Sequence, residues 1–296
     1  MNRMITIAAV AAAGLVCMAA PAAGATADGE PAAFFATSLN GANVVSGGDA
    51  DGSAVAYLGV KGDQVSFAIQ FRGIGIPASG DLHQGAKGAN GDAKISFFTT
   101  TSGLDSVRGT VRVTDRKLLD QLRNDPGSFY IDLHNRQFAG GAVRGQVHKL
   151  TSVIDMRRAL QQNFKASVLQ GVQIYACTQQ ADGTFAFTQD NVRASLQRGI
   201  SHFFVNPGPA GPPKWQAPDG SAVTGSVISR TPNGAGNIAE LDLAATQAGE
   251  PKGLLSRMNE ILRLNTVGGV APAGTCEPGS KAEVPYRADY LFIDAV

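Results

Sequence analysis

At 296 residues the chain is long enough for two domains of ordinary size. Its 25 basic and 24 acidic residues leave a formal net charge of +1 with neither half polarised, so the basic stripe of a nucleic-acid binder is missing. Beyond the N-terminal apolar run, no stretch is apolar for long enough to span a membrane.

The chain opens with a short positive segment, Asn2-Arg3, and an apolar run from Ile5 to Ala20. Pro21 and small residues follow, ending in Ala23-Gly24-Ala25 or Ala25-Thr26-Ala27. This is the pattern of a secretory signal peptide over residues 1–25, with 27 as the alternative cleavage point. The mature chain is therefore expected in the periplasm or outside the cell, with no membrane span after cleavage. In that oxidising setting the two cysteines left to it, Cys177 and Cys276, most simply form a disulfide. The loop closed is about 100 residues, worth ~4–5 kcal/mol in the chain-entropy account.

From residue 33 short apolar segments alternate with glycine-rich turns. Ala33 to Leu39, Ser53 to Val60, Gln64 to Phe71, Lys94 to Thr99 and Val107 to Val113 read as strands, and Val65, Phe67, Ile69 and Phe71 share one face. Asp115 is placed to cap a short helix over Arg116 to Arg123, which Asp125-Pro126-Gly127 stops. The next stretch, Phe129 to Val147, reads as a strand, a tight glycine turn and a returning strand. Strands at this spacing argue for an all-β sandwich. Gly48 to Ser53 hints at a calcium loop but lacks its third acidic position and distal Glu, and reads as a polar turn.

Asp-Leu-His occurs twice, at Asp81-Leu82-His83 and at Asp132-Leu133-His134. Residues two apart on a strand share a face, so each copy presents a carboxylate and an imidazole together. If the copies converge across the sandwich end, Asp81, His83, Asp132 and His134 would surround a divalent cation, zinc or copper by ligand type, with oxidoreductase chemistry open to it. The competing reading is structural: a strand-end His bonding a loop carbonyl and an Asp serving a turn. No cofactor is expected outside this set. Arg144 is expected to pair with Asp132 or with a loop carboxylate.

Two motifs in this half, D-L-H-Q-G-A-K-G-A-N-G at Asp81 to Gly91 and F-Y-I-D-L-H…F-A-G-G-A-V-R-G-Q at Phe129 to Gln146, resemble the CHRD domain, first described in chordin, over residues 33–148. The resemblance implies an immunoglobulin-like β-sandwich and no particular activity. Many members read H-I-H where this chain has Asp81-Leu82-His83, and Glu where it has Ala142.

Val153, Met156, Leu160 and Phe164 fall at helical spacing and predict a connecting helix within residues 149–165. A second β-rich domain, sandwich or barrel, is expected over residues 166–296, with strands at Gly171 to Thr178, Gly183 to Thr188, Ser221 to Ser229, Ile238 to Ala244 and Val284 to Ile293. Gly253 to Asn265 fits a helix through Leu254, Leu255, Met258, Ile261 and Leu262, yet its end reads equally as strand. Trp215 is expected in the core or a lid, Asp219 in a turn, Asp289 bonded to a neighbouring strand or loop, and His202 in a structural role. Four ordered pieces, G-V-Q-I-Y-A-C, K-W-Q-A-P-D-G-S-A-V-T-G, L-N-T-V-G-G-V-A-P-A-G-T-C and V-P-Y-R-A-D-Y, resemble the domain of unknown function 3455 family. Both cysteines fall inside these motifs, which suits their pairing.

G-x-S-x-G, a phosphate loop ending in Lys-Ser/Thr, a dinucleotide fingerprint and H-E-x-x-H are all missing, so a hydrolase has little support. The expectation is a mainly β, exported, non-enzymatic binding or envelope-associated module whose ligand is a small molecule, an envelope component or a protein. The metal site is the alternative.

Overall fold

The computed structural model describes residues 31–99, 105–208 and 211–296, so the expected signal peptide lies outside the described residues. The first body comprises β1 (Ala33–Asn40), β2 (Ser53–Lys61), β3 (Gln64–Arg72), β4 (Ser79–Gln84), β5 (Ala93–Phe98), β6 (Ser106–Arg112), α1 (Arg116–Asn124), β7 (Phe129–His134), β8 (Val143–Gln146) and β9 (His148–Lys149). One antiparallel path runs β5-β4-β7-β8-β1-β2-β3-β6, with β9 beside β1. The sheet rolls over itself. Phe35, Leu58, Phe67, Ile69, Leu82, Ile131 and Leu133, drawn from strands along the whole path, share one apolar core. Its two ends approach where Phe97 packs on Phe67, ring centroids 5.0 Å apart. Each such side chain removed from water contributes about 1.5–3 kcal/mol. The alternation of β3 is kept: Val65, Phe67, Ile69 and Phe71 all enter the core. Asp115 caps α1 by accepting from the Leu118 amide at 3.1 Å, and Leu118, Leu119 and Leu122 face the core.

The second body is a closed antiparallel barrel of β10 (Phe164–Gln179), β11 (Phe185–Leu196), β12 (Ser201–Phe204), β13 (Pro213–Gln216), β14 (Ala222–Thr231), β15 (Glu240–Gln247), β16 (Met258–Gly268) and β17 (Lys281–Asp294). Strand β10 is long enough to pair with both β11 and β17. Register shifts between Val168 and Gln170 and between Ser167 and Val172 supply the bends that closure needs. Trp215, Tyr290, Phe292 and Val192 fill the interior. The disulfide joins Cys177 at the end of β10 to Cys276 before β17, Cα atoms 5.8 Å apart.

Two expectations change, and two short strands come without an expectation. The connecting helix shrinks to one turn, α2 (Ala159–Gln162), because Leu150 and Ile154 are drawn singly into the seam between the bodies while Val153 faces solvent. Gly253 to Asn265 resolves into a turn followed by β16. Its run of apolar residues is that of a strand covered on both sides: Ile261 points into the barrel and Leu262 into the seam. The short strands β12 and β13, which carry His202 and Trp215, had no alternation long enough to announce them.

The seam is a third core. Ala36, Val55, Tyr57 and Ala68, on the outer face of β1–β3, pack against Leu262, Leu264, Leu291 and Ile293 from the outer face of β16 and β17. Strands β16 and β17 therefore serve two cores with alternate residues. Asp289 pins this seam by accepting from Ser38 Oγ (2.7 Å), Asn40 Nδ2 (2.8 Å), Asn265 Nδ2 (2.9 Å) and Ser167 Oγ (2.5 Å). Despite its burial these donors and the nearby Lys165 hold its carboxyl below the usual carboxylate range. Among the described residues no helix is long and apolar enough to cross a membrane.

Candidate metal centre

Strands β4 and β7 run side by side, with Asp81 opposite Asp132, His83 opposite Tyr130 and Ser79 opposite His134. Leu82 and Leu133 turn into the core, so the alternation of each strand turns the Asp and His of both copies to the other face. The two Asp-Leu-His copies thus meet as neighbours within one sheet, where convergence across a sandwich end was expected. The antiparallel register brings one ligand atom each from Asp81, His83 and His134 within 4.8 Å of one another. The imidazole rings lie 6.2 Å apart, centroid to centroid.

Both rings are oriented by the loops that follow them. The Gly91 carbonyl accepts from His83 Nδ1 at 2.9 Å, and the Ala139 carbonyl accepts from His134 Nδ1 at 3.0 Å. A carbonyl can only accept, so each Nδ1 carries a proton, and in the neutral ring each Nε2 is left with a lone pair. His83 Nε2 is buried and makes no hydrogen bond. The structural role weighed for these histidines and the ligand role are therefore compatible: the loop bond fixes the tautomer and aims the other nitrogen. Tyr130 stacks on His83 at 4.9 Å and holds the ring plane.

Asp132 stands apart from the other three. It is 6 % exposed, and its Oδ1 has no hydrogen-bond partner. Burial raises its carboxyl pKa to about 6, against the opposing pull of His134, His83 and Arg144. Space for it is left by Gly141, where a Cβ would sit 2.8 Å from Asp132 Oδ1 and where φ is +119°.

Among the described residues Arg144 makes neither of the expected ion pairs. Its guanidinium lies 3.4 Å from the Tyr130 ring centroid and donates to Asn90 Oδ1 (3.0 Å) and to the carbonyls of Ala86 (3.2 Å) and Ala89 (2.7 Å). Gln146 Nε2 donates to the Gly85 carbonyl at 2.8 Å. The Arg-Gly-Gln of the second motif thus holds the loop of the first, and that loop supplies the Gly91 carbonyl that orients His83. The returning strand is reached through an eight-residue connection, Asn135 to Ala142, in place of a tight turn. Asn135 Oδ1 accepts from the amides of Gln137 and Phe138, and its backbone reaches the Phe138 carbonyl. The same loop brings Ala139 under His134.

The other singled-out residues lie elsewhere. Trp215 is 1 % exposed inside the barrel, and His202 stacks on it at 4.3 Å. Asp219 accepts from Ser221 and from the Leu254 amide, closing the turn between β13 and β14 onto the segment before β16. Asp49, in the loop weighed for calcium, accepts from the Asp51 amide as a turn residue does. Sequence reasoning missed Lys87, which reaches the barrel and donates to Glu240 Oε1 (2.7 Å) and Asn233 Oδ1 (2.6 Å). Nothing in its own glycine-rich neighbourhood signals that partner.

Residues 35–147 match the CHRD domain family model, and residues 188–294 match the model described as Protein of unknown function (DUF3455). The second match begins within β11, after β10. No curated protein matches the chain. No solved structure matches it either.

Proposed function

We propose that this protein, a CHRD domain followed by a DUF3455 domain, is an exported divalent-metal-binding protein. The cation would be held on the CHRD domain by Asp81, His83 Nε2 and His134 Nε2. The observation that carries the reading is the convergence of these three donors with both Nδ1 atoms already committed to loop carbonyls. Two imidazoles and one carboxylate suit zinc or copper, and tetrahedral bonds of 2.0–2.2 Å require donor atoms about 3.4 Å apart. The three donors would have to draw closer than their present spacing of up to 4.8 Å to hold the ion. Three protein ligands leave at least one position for an exogenous molecule, and Asp132 lies beside it as a buried carboxyl. The Cys177–Cys276 disulfide supports export.

The test is elemental analysis of the purified mature protein, followed by zinc and copper titration of chelator-treated protein by calorimetry. The wild type should take up one equivalent. His83→Ala and His134→Ala should each lose about 100-fold in affinity while keeping a native circular-dichroism spectrum. A wild type that binds neither metal, or variants that bind as the wild type does, would overturn the assignment.

A further inference from the structure

A second site lies on the other side of β1–β3, where the two bodies leave a cleft of about 660 Å³ lined by Ser53, Gln70 and Arg72 of the CHRD domain and by Phe164, Lys165 and Arg198 of the barrel. Clefts of this size between domains are where small molecules are commonly held. Three cations meet here. Lys165 crosses the seam to donate to Ser53 Oγ, and Asp289 behind it balances its charge. Ser53 pairs in register with Arg72, so the Lys165 and Arg72 stems enter the cleft from facing elements. Arg72 and Arg198 are exposed, and neither takes part in an ion pair among the described residues. Asp51 is the one carboxylate among the lining residues.

Arg198 is held for this position at a conformational cost. It sits at φ +65°, a left-handed backbone that non-glycine residues seldom adopt and that costs about 1–2 kcal/mol. Gln197 anchors the turn by accepting from the Ser167 amide at 3.1 Å, and the Arg198 guanidinium lies 4.6 Å from the Phe164 ring centroid. Stacking on an aromatic face leaves the rim of the guanidinium, with its donors, turned outward for a planar acceptor. Tyr57, buried on the same outer face of β2, has a hydroxyl with no hydrogen-bond partner, and Arg198 is close enough to act on it electrostatically.

We infer that this interdomain cleft binds a small molecule bearing an oxyanion, a phosphate or a carboxylate, through Arg72 and Arg198. Lys165 completes the site, and the Phe164 ring carries the Arg198 guanidinium. The inference is independent of the metal centre, because none of its residues is shared with it. It is tested on the mature protein after chelator treatment, so that no bound metal can take the anion. Calorimetric titrations with inorganic phosphate, glucose 6-phosphate and glucuronate separate the two sources of the charge.

Saturable binding of the phosphates over glucuronate assigns the site to phosphate, and the reverse preference to carboxylate. In either case Arg72→Gln and Arg198→Gly should each weaken binding about tenfold or more, the scale of a lost charge-assisted hydrogen bond. Arg198→Gly also relieves the left-handed strain, so its melting temperature should match or exceed that of the wild type and its loss of binding cannot be put down to unfolding. No saturable binding of any of the three probes at millimolar concentration, or variants that bind as tightly as the wild type, overturns the inference.

Discussion

Three histidines of this protein are built alike at first approach and differ in what surrounds them. His83, His134 and His202 each direct Nδ1 at a backbone carbonyl, those of Gly91, Ala139 and Lys214, at 2.9, 3.0 and 3.0 Å. In the barrel, His202 is then enclosed: it lies flat on Trp215 and edge-on to Tyr290, and burial lowers its pKa to about 3. In the CHRD domain, His83 and His134 face each other and Asp81. The local bond that fixes a tautomer is common to both settings. A second nitrogen that meets carboxylate and imidazole is what would separate a ligand from a packing element.

The comparison can be broken most forcefully from the barrel side. Trp215→Ala removes the surface on which His202 lies and opens a cavity among Tyr290 and Phe292. It should cost about 3–5 kcal/mol in urea unfolding while leaving metal uptake unchanged. A parallel loss of metal affinity would show that the two histidine settings are coupled.

The next effect is in pH. A histidine with a folded pKa near 3 and an unfolded value near 6.5 binds fewer protons when folded. Its contribution is complete above about pH 6.5 and is lost as pH falls toward 3, a loss of about 2 kcal/mol between pH 7 and 5. Asp132 and Asp242, whose carboxyls are raised to about 6 and about 7 chiefly by burial, act with the opposite sign over the same interval. The informative quantity is therefore a difference between two stability profiles. His202→Gln should lose about 2 kcal/mol less than the wild type between pH 7 and 5. Parallel profiles would mean that the ring protonates freely inside the fold.

The smallest effect sharpens the other side. Gly141→Ala drives a methyl group toward the Asp132 carboxylate at a left-handed backbone position. Titration of the variant with zinc should show affinity about tenfold weaker, as for other groups that support metal ligands without touching the ion. An unchanged affinity would remove Asp132 and its glycine from any part in the centre.

Much of this was legible in the residues. The period-two pattern of Gln64 to Phe71 and the Asp115 cap survive unchanged, because in each the local preference and the tertiary setting agree. The duplicated Asp-Leu-His also reads correctly as two carboxylate–imidazole faces. What no spacing shows is the register that sets Asp81 opposite Asp132, and the Arg144 contacts that tie one motif to the other. Misreading concentrated at the seam. Met258 to Leu264 stayed open between helix and strand because each face of β16 packs against a different core, which erases the alternation. The helix expected between the domains shrank for a related reason, its apolar residues dispersing, Met156 and Leu160 to the seam, Phe164 to the barrel core and Val153 to solvent.

That shared layer also sets the order in which the molecule can be completed. Strands β1–β3 find all their sheet partners between β1 and β9, whereas the residues that cover their outer face, Leu262, Leu264, Leu291 and Ile293, belong to β16 and β17. Strand β17 also closes the barrel by pairing with β10, more than a hundred residues earlier. Contacts so distant in sequence form slowly, since the intervening chain must first be brought together. A nascent CHRD domain must therefore wait with Ala36, Val55, Tyr57 and Ala68 uncovered, and a chaperone that shields one apolar sheet face would find its substrate in that interval.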